Sequence, residues 1–89
     1  MNTIRENEKL LKALANRRRL MIVRYLNKKA PASVGSVAED IKLSLMATSK
    51  HLRLLLDAEV VERDQVGPYA QYRLAAPLHP VVKLLLSSL

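Results

Sequence analysis

Hydrophobic positions recur along the chain first at helical and then at alternating spacing. Ile4, Leu10, Leu11 and Leu14 stand among polar and charged residues, a spacing that predicts an amphipathic helix over Ile4–Ala15. Asn16 interrupts the pattern and suits an N-cap. Leu20, Ile22, Val23 and Leu26 then give a broad apolar face to a second helix, Arg17–Asn27, with Lys28 and Lys29 at its negative end. Pro31 and Gly35 punctuate a break, in which Ala32–Val34 could form a short strand. Ser36-Val-Ala-Glu39 has the capping-box spacing and predicts a short helix over Val37–Ile41. Lys42 and Leu43 make a tight turn. Ser44 can cap a longer helix, Leu45 to about Ala58, whose inward stripe is Thr48, Leu52, Leu55 and Leu56.

Beyond that helix the period changes. Val60–Val66 and Gln71–Leu74 are rich in strand-formers, and Gly67-Pro68 between them marks a turn, so the two predict a hairpin. Pro77, Leu78, His79 and Pro80 lead into a last helix, Val81–Leu89, with Pro80 suited to its first turn. This segment is apolar on nearly every side and needs burial on more than one face. In a domain of 89 residues that points to a partner chain. A short helix, a tight turn and a capped second helix make a helix-turn-helix. In that arrangement the N-terminal residues of the second helix meet base edges in the major groove. The expected fold is mainly α with a small β-hairpin wing. It is one domain over 1–89, with dimerisation helices at 4–15 and 78–89, the helix-turn-helix at 37–58 and the wing at 60–74.

Composition supports a nucleic-acid partner. Fifteen Lys and Arg against eight Asp and Glu leave a net charge of +7, and the pI is about 10.2. Such an excess in a small domain attracts phosphates regardless of sequence, although an anionic membrane or an acidic protein would also fit. Only three residues are aromatic, all Tyr, so aliphatic side chains must fill the core. There is no Cys, which removes disulfides, thiolate metal sites and cysteine nucleophiles. The polar Met1–Lys12 segment does not read as a signal peptide, and no apolar run approaches the roughly 20 residues of a membrane span. The expected location is cytoplasmic. No glycine-rich phosphate loop and no Ser–His–Asp set is present, so the chain is not expected to be an enzyme.

The candidate DNA-binding residues lie on three elements. Ser44, Leu45, Met46, Thr48, Ser49, Lys50 and Arg53 belong to the helix beginning at Ser44. Thr48 also falls on the inward stripe, where a core role competes with base reading. Leu45 and Met46 could touch thymine methyl groups, or form an apolar patch for a protein partner. Arg17 or Arg18 is placed near phosphate. Arg63, Tyr69 and Arg73 flank the wing and could grip the adjacent DNA backbone or minor groove, whereas Tyr72 is expected to pack. His51 reads as a packing or hydrogen-bonding residue.

Several stretches resemble the ArsR/SmtB family of bacterial and archaeal repressors. Leu11-Lys-Ala-Leu-Ala-Asn-Arg-Arg-Arg-Leu20 is similar to the family's opening. Val37-Ala-Glu-Asp-Ile-Lys-Leu-Ser44 is similar to its supporting helix and turn, and Ala47-Thr-Ser-Lys-His-Leu-Arg-Leu-Leu55 to its recognition helix. Val60–Leu74, ending in Tyr72-Arg73-Leu74, resembles its wing. The resemblance spans about residues 8–76. It implies a homodimer joined through the first and last helices, with Ile4, Leu11, Val81, Val82, Leu85 and Leu89 at the interface. It also implies binding to an imperfect inverted repeat in double-stranded promoter DNA, usually as a repressor, and a fold-holding role for Arg19. The family's metal-sensing cysteines are missing, and His51 and His79 have no clustered carboxylates, so no metal and no cofactor is expected. Glu59 stands where the family often has Gly, which implies a slightly different helix cap.

Overall fold

The computed structural model describes residues 3–89. Met1 and Asn2, counted in the expected domain and in the polar N-terminal segment, lie outside the described residues. The element order is α1 (Ile4–Leu14), α2 (Arg17–Lys29), α3 (Val34–Ile41), α4 (Leu45–Asp57), β1 (Val61–Val66), β2 (Tyr69–Leu74) and α5 (Pro80–Leu86). This is the expected helical domain with a hairpin wing. The helices wrap one aliphatic core in which Ile22, Val23, Leu26, Val37, Ile41, Leu52, Leu55, Val60 and Val82 are all buried.

Caps set the helix boundaries. Thr3 opens α1 through a capping box with Glu6: Thr3 Oγ1 accepts from the Glu6 amide at 3.1 Å, and Glu6 Oε1 accepts from the Thr3 amide at 2.9 Å. The Thr3 backbone amide first, and then the Thr3 hydroxyl, hold the Glu6 carboxyl below its ordinary pKa. Asn16 caps α2 through the Arg19 amide, as expected, and α2 continues to Lys29. The third helix corrects the sequence reading. It starts at Val34, because Ser33 is its N-cap and accepts from the Ser36 amide at 3.2 Å. Ser36 is therefore the third helical residue rather than the cap, and Glu39 lies exposed beyond the first turn. The expected strand at Ala32–Val34 reduces to one bridge, Ala32 with Tyr72, which ties the start of the helix-turn-helix to the wing.

Both helices of the helix-turn-helix end the same way. At the end of α3, Lys42 is left-handed (φ 55°), and the Leu43 amide donates to the Ala38 carbonyl at 3.0 Å. At the end of α4, Glu59 is left-handed (φ 61°), the Glu59 amide donates to Leu56 and the Val60 amide to Leu55, each at 2.9 Å. These are Schellman bonds, in which a left-handed residue turns the chain and satisfies the last carbonyls. Glu59 thus takes the left-handed position that favours glycine, with a side chain carrying it.

The wing is a two-residue hairpin in full antiparallel register, from Val61 opposite Leu74 to Val66 opposite Tyr69. Gly67, with φ 59°, takes the first loop position and Pro68 the second, as a type II′ turn requires. His79 caps α5 by accepting from the Val81 amide at 3.0 Å, and Pro80 occupies the first helical position. The helix stops at Leu86, so Ser87–Leu89 falls outside the longer helix expected from the sequence.

Candidate nucleic-acid interface

The helix α4 divides cleanly into two faces. Thr48, Leu52 and Leu55, spaced by four and three residues, are fully buried against the core. The opposite face carries Leu45, Met46, Ser49, Lys50, Arg53 and Leu54, which line one shallow hollow open to solvent. Ser44 caps the helix and presents this face: its Oγ accepts from the Ala47 amide at 3.1 Å. Of the seven α4 candidates, the structure brings Leu45, Met46, Ser49, Lys50 and Arg53 together and sets Ser44 at their edge. Thr48 is corrected: with no exposed surface it cannot reach a base, because it lies on the inward stripe. Leu54 belongs to the face and was missed. Its signal was its place eight residues after Met46, on the same side of a helix.

Two arginines of α2 hold α4 in position. The Arg18 guanidinium donates to the carbonyls of Ile41 and Lys42, the orphan acceptors at the end of α3. It therefore clamps the turn that leads into Ser44. Arg18 thus has a structural role at the turn beside its expected place near phosphate, and Arg17, one residue earlier, is exposed. Arg19 donates through Nε to the Ala13 carbonyl at 2.5 Å and through a terminal nitrogen to the Lys12 carbonyl at 3.3 Å. Its other terminal nitrogen lies 3.1 Å from His51 Nδ1. Arg19 thus joins the end of α1 to the middle of α4, the fold-holding role expected of it. For the ring to accept from a guanidinium it must be neutral at Nδ1. Burial, then the nearby charges of Arg19 and Arg18, keep the His51 pKa below its ordinary 6.5.

The wing contributes less positive charge than its sequence suggests. Arg73 donates to Asp64 at 2.8 Å and to Glu62 at 3.0 Å on the same face of the hairpin. The hydrogen bond and charge of Asp64, followed by the charge of Glu62, raise its pKa further. Arg73 thus meets two carboxylates on the exposed face of the wing, with which a DNA backbone would compete. Arg63 points to the other face, where it donates to Gln65 at 3.3 Å, and it is exposed. Tyr69 is exposed at the tip, while Tyr72 packs on the core.

The expected interface residues also separate by burial. Ile4 and Leu11 are exposed on α1, and Leu89 lies exposed beyond the end of α5. Val81 and Leu85 are half-buried. Val82 is 1% exposed within the single chain, so it belongs to the protomer core, and the exposed large apolar residue of α5 is Leu84. A second hollow, between α1, the end of α4 and the wing base, is lined by Glu6, Asp57, Glu59, Glu62 and Asp64 among others. Its acidic rim is the wrong sign for phosphates. Among the described residues no group of three or more His, Cys, Asp or Glu is placed to hold a metal ion. No helix among them is long and apolar enough to cross a membrane.

Comparison with known proteins agrees with this geometry. The helix-turn-helix domain family matches residues 14–64. The arsenical resistance operon repressor of Bacillus subtilis is 31% identical over 71 residues, covering 80% of this chain and 68% of that protein. A homodimeric winged helix-turn-helix DNA-binding domain from Mycobacterium bovis superposes with a TM-score of 0.84 at 28% identity, covering 96% of this chain and 76% of that one. The transcriptional repressor BigR from Xylella fastidiosa gives a TM-score of 0.78 at 27% identity, covering 94% and 82%.

Proposed function

Because the chain belongs to the ArsR-type winged helix-turn-helix regulators, we propose that it represses transcription by binding an inverted-repeat operator as a homodimer, without a metal effector. The observation that carries this reading is the outer face of α4. It is capped at Ser44, displays Ser49, Lys50 and Arg53 to solvent, and has no acidic residue from Ser44 to Leu56. A helix so presented enters the major groove with its first two turns against base edges. Lys50 and Arg53 supply charge for phosphates, and Arg17 adds a contact at the start of α2. A Ser hydroxyl at Ser49 can donate to or accept from a base edge. The absence of Cys from the sequence speaks for regulation, if any, through something other than thiolate–metal chemistry.

Two copies are needed to read an inverted repeat, each recognition helix taking one half-site about one helical turn from the other. The apolar residues left exposed at Ile4, Leu11 and Leu84 supply surface for that pairing. The test is a titration of operator duplex at several salt concentrations. Affinity should fall linearly in log–log form, as counterion release demands. Lys50→Ala should weaken binding and flatten that slope by about one unit. Ser49→Ala should weaken specific binding while leaving the slope and the melting temperature in place. A domain that binds no duplex at low salt overturns the proposal.

A further inference from the structure

We propose that the tip of α4 reads thymine methyl groups, so that the operator half-site carries adjacent thymines opposite Leu45 and Met46. The inference rests on the DNA-binding reading above and specifies what that site recognises. Leu45 is 59% exposed and Met46 73% exposed, in the first turn of the helix, where the fold delivers residues to base edges. Neither side chain donates a hydrogen bond, and the Met thioether accepts only weakly. The floor of the major groove offers such side chains one matching feature, the C5 methyl of thymine. Opposite cytosine the same side chains would cover the N4 amino group without replacing its hydrogen bond to water, which disfavours a G·C pair there.

The rest of the face leaves this task to Leu45 and Met46. The pairings that read adenine by bidentate bonds use Asn or Gln, and α4 has neither. Lys50 and Arg53 lie one and two turns further along, and Ser49 is compatible with more than one base. Consecutive residues on a helix point about 100° apart, so Leu45 and Met46 address neighbouring base pairs rather than one. Lys50 and Arg53 line the same hollow, and no carboxylate lies between Ser44 and Leu56. That charge selects a polyanion with apolar points on its floor over an apolar groove on a protein.

The experiment begins with selection of bound duplexes from a random-sequence pool by the full chain. The enriched duplex is then rebuilt with deoxyuridine in place of each thymine of the half-site, which removes the methyl and nothing else. Each contacted methyl should contribute about fourfold in affinity. Replacing the same thymines by cytosine should weaken binding, and 5-methylcytosine should recover part of the loss. In the double variant L45A/M46A the deoxyuridine effect should vanish, with the melting temperature held because both residues are exposed. Wild-type protein that binds the deoxyuridine and thymine duplexes alike overturns the proposal, as does a double variant that stays sensitive to the methyls. An enriched duplex indifferent to both the methyls and the double variant removes the apolar tip from DNA reading and overturns this inference alone. A pool that yields no enriched duplex overturns the DNA-binding reading with it.

Discussion

Thr48 sits in the core with its hydroxyl Oγ1 buried and, among the described residues, without a hydrogen-bond partner. Burying such a group unpaired costs on the order of 1–3 kcal/mol, and valine has nearly the same shape. Thr48→Val should therefore stabilise the domain, by about 1 kcal/mol in chemical denaturation, and leave operator affinity unchanged. Loss of stability would show that the hydroxyl has found a partner in solution. His51 gives a prediction in pH. Its pKa is lowered in the folded chain, so between that value and 6.5 the folded state binds fewer protons than the unfolded one. Stability should therefore be full above pH 6.5 and fall as the pH drops through this window, when the cation must form beside Arg19 and Arg18. His51→Gln, which has no proton to gain, should show a flatter fall; an unchanged pH profile would remove His51 as its source. At this scale the sequence was readable for Ser44, whose capping pattern is local. It was not readable for Arg18, whose acceptors lie 23 and 24 residues away and carry no local signature.

At the scale of the element, caps decide where the reading helix starts and stops. Ser33 and Ser36 look alike in sequence, and the capping-box spacing favours Ser36. The structure chooses Ser33, because the bridge of Ala32 to Tyr72 fixes the strand-like backbone just before it and lets α3 begin at once. Hydrogen-bond spacing alone could not weigh that wing contact. The end of α4 is a cap of unusual composition. A left-handed non-glycine residue carries a steric cost that glycine avoids, partly offset by the entropy glycine loses on folding. Glu59→Gly should stabilise the domain by roughly 0.5–1 kcal/mol, read as a rise in melting temperature. A fall would mean that the Glu59 side chain makes a contact that outweighs the backbone strain. The wing teaches the opposite lesson. Its strands and turn were legible from alternation and Gly67-Pro68, but its charge was not. Only the register that sets Glu62 opposite Arg73, with Asp64 nearby, shows that this arginine is already paired.

The whole molecule is a monomer-sized core with apolar surface left over at both ends of the chain. Ile4 and Leu11 on α1 and Leu84 on α5 are more than half exposed, and a domain this small gains much from burying them. The chain should sediment as a dimer at micromolar concentration. Leu84→Glu should shift it to monomer while leaving the protomer core, with Val82 inside it, intact. A monomeric wild type would remove the dimer from the proposed mechanism, and a dimeric variant would move the interface elsewhere. The order of elements, the frame of α4 and the presence of a wing follow from the sequence by itself, because caps, turn residues and hydrophobic period act within a few residues of one another. The division of the arginines was decided by tertiary structure alone. Arg18 clamps the helix-turn-helix turn, Arg19 bridges α1 to α4 and Arg73 is neutralised on the wing, because each meets its partners across the fold. Net charge counts these residues alike, whereas the fold gives each of them a different set of partners.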